Sequence, residues 1–88
     1  MKVEFKASFA RDLKKIKDKT LKSRVKGVIE AVEQAQGLQE IEGLRKLRGD
    51  AGYYRIRLGE YRLGLLVEGD TVTLVRFLHR RDIYRYFP

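Results

Sequence analysis

Arg55, Arg57, Arg62, Arg80 and Arg81 stand between Leu44 and Tyr84, a stretch otherwise rich in strand-forming apolar residues. The same stretch holds His79, the sole histidine, and ends on Tyr84. A guanidinium is planar, permanently charged and able to grip a phosphate through two parallel N–H donors. One exposed arginine is ordinary solvated surface, and charge on strands also discourages edge pairing. Several arginines brought together by strand spacing are different: they make an anion site. A neutral imidazole can take or give a proton near pH 7. Tyr84, Tyr86 and Phe87 offer the π-faces that unstacked bases require. The chemistry that fits is cleavage of RNA without metal. The ribose 2′-hydroxyl is the nucleophile, and the protein supplies positive charge and proton carriers.

Strand periodicity must gather these groups. In Tyr53 to Leu58, Tyr54, Ile56 and Leu58 fall on one face and Tyr53, Arg55 and Arg57 on the other. Gly59-Glu60 is a two-residue turn with glycine first, which suits a type II′ hairpin. In Tyr61 to Glu68, Tyr61, Leu63, Leu65 and Val67 share the apolar face, and Arg62, Gly64, Leu66 and Glu68 oppose them. The hairpin therefore places Arg55, Arg57 and Arg62 on a common surface. Gly69-Asp70 makes a second tight turn into a third strand, Thr71 to Arg80, whose faces period two alone does not assign. The basic run His79-Arg80-Arg81-Asp82 closes it.

The first half supplies the cover for the apolar face. Met1 to Lys6 alternates as a half-buried strand, with Val3 and Phe5 on one side. Ser8 is the expected N-cap of a first helix carrying Phe9, Leu13 and Ile16. A break at Asp18 to Thr20 leads to a second helix with Leu21, Val25, Val28, Ile29 and Val32 on one stripe, ended by Gly37. Leu38 to Asp50 reads as a connector anchored by Leu44 and Leu47, with Lys46 and Arg48 pointing outward to meet RNA alongside Arg81. The order is β-α-α-β-β-β: an α+β fold, one domain over 1–88, with a helical hairpin on one face of an antiparallel sheet.

Composition narrows the partners. The chain has 88 residues, 43% of them hydrophobic, and a formal net charge of +8. A chain of this length buries only about 60–65% of its unfolded surface, so an active site is a surface groove rather than a deep pocket. The positive balance fits a polyanion: nucleic acid, an acidic protein, or both. No cysteine is present, which removes disulfides and thiolate metal sites and fits a cytoplasmic setting. Nothing has metal-ligand spacing, neither serine is placed as a nucleophile, and no glycine-rich phosphate loop occurs. No cofactor is expected. The longest apolar run is far below the roughly 20 residues a membrane helix needs.

The whole chain resembles the RelE/ParE superfamily of type II toxins, RelE-like mRNA interferase branch. The resemblance lies in the combination of K-L-x-G, Y-R-I-R, G-x-Y-R-L and a closing H-R-R-D-I-Y, preceded by FARDLKKI. It implies a ribosome-dependent endoribonuclease that cleaves mRNA in the A site, neutralised by an acidic, RelB-like antitoxin. By motif, Arg55 and Arg57 match basic residues of the second strand. Arg62 would hold the scissile phosphate, Arg80 would stabilise the transition state, and Tyr84 would stack on or orient the cleaved nucleotide. RelE-like toxins carry lysine where Arg55 and Arg57 stand, and arginine is a poor general base. His79 is then the candidate for that role, as in some relatives. Two other readings share the fold or the charge: a ParE-like inhibitor of DNA gyrase, and a basic RNA- or ribosome-binding module without activity.

Overall fold

A computed structural model describes residues 1–49 and 51–88. Asp50, the last residue of the expected connector, lies outside the described residues. The elements are β1 (Lys2–Phe5), α1 (Ala7–Lys14), α2 (Lys19–Gln34), a 3₁₀ turn (Leu38–Glu40), β2 (Leu44–Lys46), β3 (Tyr53–Leu58), β4 (Tyr61–Glu68), β5 (Thr71–His79) and α3 (Ile83–Tyr86). The strands form a single sheet ordered β1-β5-β4-β3-β2, antiparallel except for the β1–β5 pair. The mixed α+β fold with two N-terminal helices on one face is as the sequence implies. Two elements were not expected: β2, inside the connector, and α3, after the basic run.

The core lies between the helices and the sheet. Phe9 of α1 and Val25 and Val32 of α2 pack with Ile56, Leu58, Leu63, Leu65, Val72, Leu74 and Phe77. The glycine-first hairpin forms as expected: Gly59 has φ +60° and no non-glycine residue among those described has positive φ, the pattern of a type II′ turn. It sets the register in which Arg57 faces Arg62 and Arg55 faces Gly64.

A β-bulge explains why period two does not assign the faces of β5. The β4–β5 register shifts between Gly64 and Leu65: Gly64 pairs with Arg76, but Leu65 pairs with Leu74. Val75 is the extra residue. Val72 and Leu74 point into the core before it, and Phe77 points into the core after it. The bulge lies just past the end of β1, where the edge of β5 loses its strand partner. Helix α1 supplies the missing hydrogen bonds. The Ser8 hydroxyl donates to the Val75 carbonyl at 2.6 Å, and the Asp12 carboxylate accepts from the Phe77 amide at 2.9 Å. Spaced i, i+4, the two side chains lie on one face of α1.

Three local expectations are corrected. Ser8 does not cap α1; the N-cap position is Lys6, and the Ser8 hydroxyl is committed to β5. Gly37 does not end α2 in a left-handed turn. The helix stops at Gln34, and Gly37 has φ −167°, which any residue can adopt. Asp18 is not merely a break but the N-cap of α2, accepting from the Thr20 and Leu21 amides.

Candidate RNA-binding face

The sheet surface turned away from α1 and α2 carries Tyr53, Arg55 and Arg57 from β3 and Arg62, Gly64 and Leu66 from β4. It is not fully open. Helix α3 folds back across it, burying Ile83 and Phe87. The Phe87 ring seats on Gly64, where a Cβ would come within 2.8 Å of it, and meets the Tyr53 ring edge-on at 5.4 Å. A glycine is required at position 64 because this aromatic ring presses onto the strand. The seat fixes α3, and α3 presents Tyr84 to the arginines.

Arg62 is the centre of the site. It is only 7% exposed. Its Nη1 donates to the carbonyls of Gly59 (2.8 Å) and Tyr61 (2.9 Å), and no carboxylate pairs with it among the described residues. Burial pushes its pKa below the ordinary arginine value, and the positive charges of Arg57, Arg55 and Arg80 act in the same direction, with Tyr84 opposing. The protein thus holds a desolvated cation among like charges, an arrangement that favours an incoming anion.

The neighbours are arranged around it. Arg57 is exposed directly opposite on β3. Arg55 donates from Nη1 to the Tyr84 hydroxyl and lies 5.6 Å from that ring's centroid, while Tyr84 itself is 69% exposed. Arg80 pairs with Glu60 at 2.9 Å, with both side chains mostly in solvent. Such a pair contributes at most about 1 kcal/mol and yields readily to a phosphate.

Four further sequence-derived candidates fall elsewhere. His79 pairs with Tyr61 in the β4–β5 register, and its ring meets Tyr61 edge-on at 5.5 Å; Tyr61 in turn stacks on the core residue Phe77. The histidine therefore lies on the helix side of the sheet, apart from the arginines, with Nδ1 accepting from the Arg81 amide at 3.1 Å. Adjacency in sequence brought it to the basic run, and strand alternation sends it to the opposite face. Lys46 pairs with Tyr54, so it too faces the helix side, at the sheet edge. Arg48 and Arg81 are exposed and peripheral. The residue that sequence reasoning missed is Arg45. It pairs with Arg55 across β2–β3, extending the basic row to the sheet edge. The alternation Leu44-Arg45-Lys46 carried that signal, had the segment been taken as a strand.

A desolvated arginine ringed by others, with an exposed tyrosine hydrogen-bonded to one of them, can bind a phosphodiester, neutralise charge developing on it, and stack an adjacent base. Comparisons with known proteins place the chain in a family. The family model described as the ParE toxin of type II toxin–antitoxin system, parDE, matches residues 3–84. Toxin RelE3 of Methanocaldococcus jannaschii is 42% identical over 89 residues, covering all of both chains. A RelB–RelE antitoxin–toxin complex from Methanococcus jannaschii contains a chain that superposes with a TM-score of 0.82 at 39% identity, over 97% of this chain and 99% of that one. The RelBE2 toxin–antitoxin complex of Mycobacterium tuberculosis gives 0.60 at 26% identity, over 90% and 96%.

Proposed function

This chain belongs to the ParE toxin family of type II toxin–antitoxin systems and is homologous to RelE toxins, and on that premise we propose that it cleaves mRNA in the A site of the ribosome, without metal. The observation that carries the reading is Arg62: buried, without a carboxylate partner among the described residues, and surrounded by Arg55, Arg57 and Arg80.

In the proposed reaction the 2′-hydroxyl oxygen attacks the adjacent phosphorus. The hydroxyl proton passes to water, a cyclic phosphate forms as the bond from phosphorus to the 5′-oxygen of the next nucleotide breaks, and that oxygen takes a proton from water. Arg62 holds a non-bridging oxygen, anchored by its two backbone carbonyls so that its remaining N–H groups are fixed in direction. Arg57 and Arg80 add positive charge where negative charge accumulates. Tyr84 stacks on a base, oriented by Arg55. Arg45 extends the basic track along the RNA backbone. His79 has no part in the reaction on this face, so catalysis rests on positioning and charge stabilisation.

A RelB-like antitoxin with an acidic segment is the proposed natural inhibitor, covering the arginine face or the helical hairpin. Its RelB counterparts are present in the solved complexes of the relatives. No helix is long and apolar enough to cross a membrane among the described residues, and the proposed site of action is the cytoplasm.

The parDE description of the family favours a second reading, inhibition of DNA gyrase. Pulse-labelling after induction separates the two. Protein synthesis is expected to stop before DNA synthesis, and Arg62→Ala or Arg80→Ala is expected to relieve the arrest while the protein stays folded. DNA synthesis failing first, with both variants still toxic, would favour gyrase and remove the arginine face from the mechanism.

A further inference from the structure

Helix α3 carries two exposed tyrosines, and each lies against an arginine. Tyr84 meets Arg55, and Tyr86, 52% exposed, meets Arg76 at 5.4 Å from its ring centroid. Two residues along a helix amount to about 200° of rotation, which puts the rings on opposite flanks. Tyr84 therefore serves the arginine face, and Tyr86 looks onto a separate cavity of ≈ 410 Å³ on the other side of the turn.

That cavity differs from the arginine face in charge. Arg76 is neutralised by Asp12, through Nε at 2.7 Å and Nη2 at 3.0 Å, and the other charged residues of the lining, Lys15 and Asp82, are one of each sign. Three further aromatic rings, Tyr61, Phe77 and His79, line it. Because His79 Nδ1 accepts the Arg81 amide, its remaining proton sits on Nε2 as a donor. A near-neutral, aromatic hollow with a fixed donor and a carboxylate acceptor does not suit a phosphate. It suits a flat heterocycle with hydrogen-bonding edges. Arg80, Arg81 and Arg85 of the same stretch of chain are exposed, and their charge suits phosphates linking that heterocycle to one on Tyr84.

We propose that Tyr86, braced by the Asp12-held Arg76, is a second base-stacking site, taking an unpaired RNA base on the flank of α3 opposite Tyr84. The inference rests on RNA being the ligand of the arginine face, but it does not depend on cleavage. Single-stranded RNA spanning both flanks then straddles α3, with one base on each tyrosine.

The test uses the wild-type protein and 2′-O-methyl oligoribonucleotides, which lack the nucleophile and so report binding alone. One of about 3 nucleotides reaches only Tyr84, and one of about 8 reaches both flanks. Tyr86→Ala is expected to weaken the longer oligonucleotide about tenfold and leave the shorter unchanged, and Tyr86→Phe to bind both as wild type does. A 4-thiouridine in the longer strand should crosslink to the Tyr86 peptide of the wild-type protein, a readout needing no variant to fold. The proposal is overturned if Tyr86→Ala binds the longer strand as well as wild type does, if Tyr86→Phe loses as much as the alanine variant, if wild type gains nothing from the added length, or if no crosslink forms there. Loss of cleavage in Arg62→Ala with normal binding by Tyr86→Ala would sink this site alone. The reverse pattern would sink the cleavage reading and leave the site standing.

Discussion

Two largely buried arginines of the same sheet show how surroundings decide what a side chain is for. Arg76 is held in a two-bond fork by Asp12, which also accepts the Phe77 amide, and this partnership raises its pKa above the ordinary value. Among the described residues, Arg62 has only backbone carbonyls as partners. Burial, then Arg57 and Arg55, lower its pKa. The first arrangement is internally complete and closes the edge of β5 where β1 ends. The second is internally incomplete, and a phosphate would complete it. Charge alone does not separate these two arginines; a buried carboxylate partner does.

The largest expected effect separates activity from stability at Arg62. Arg62→Met should lower the cleavage rate by about a hundredfold or more, comparable to losing an oxyanion-stabilising donor. Its melting temperature should hold or rise, because a desolvated, repelled charge is removed. A melting point that drops sharply would mean that Arg62 is structural after all. The converse follows at Asp12. Asp12→Ala should cost about 3 kcal/mol in denaturant unfolding, since it strands Arg76 and the Phe77 amide. Phosphate contact by the folded fraction should persist.

Smaller effects sharpen the boundary of the face. Arg57→Gln should weaken RNA binding and flatten the dependence of log K on log salt by about one unit. Arg45→Gln should do the same to a lesser degree, whereas Lys46→Gln, on the opposite face, should leave the slope unchanged. Glu60→Gln frees Arg80 and should tighten RNA binding by less than about 1 kcal/mol, the worth of an exposed ion pair. Acidity should not blur the comparison. Arg62 folds with a lowered pKa, so its penalty is constant below that value and is relieved only as pH rises through it. Arg76 folds with a raised pKa, so its contribution is complete below the ordinary arginine value and fades only above it. Both windows lie beyond the working range, and stability curves of wild type and Arg62→Met should stay parallel between about pH 6 and 9.

The hairpin was readable from sequence because its two determinants are local. Alternation assigns the faces of β3 and β4, and Gly59-Glu60 fixes their register, so Arg55, Arg57 and Arg62 had to meet. What was not readable depends on events between distant segments. The bulge opposite Gly64 and Leu65 shifts the faces of β5, and no local pattern around Val75 announces it. His79 looked like a neighbour of the arginines because it precedes Arg80, yet pairing with Tyr61 turns it away. Helix α3 is a single turn without periodicity, and its position depends on Phe87 finding the bare backbone of Gly64. Asp12 could have been noticed. It lies three residues after Phe9 and four before Ile16, on the apolar stripe of α1, where an unpartnered carboxylate would be costly. Even so, nothing in the sequence identified Arg76 as its partner rather than another member of the basic face.

The direct test is to map mRNA ends on translating ribosomes exposed to wild type, Arg62→Met and Asp12→Ala, each at equal folded concentration. New ends in the A-site codon should appear with wild type, persist with Asp12→Ala and vanish with Arg62→Met. Ends that survive in Arg62→Met, or that never form with wild type, would contradict the assignment of Arg62 to the scissile phosphate.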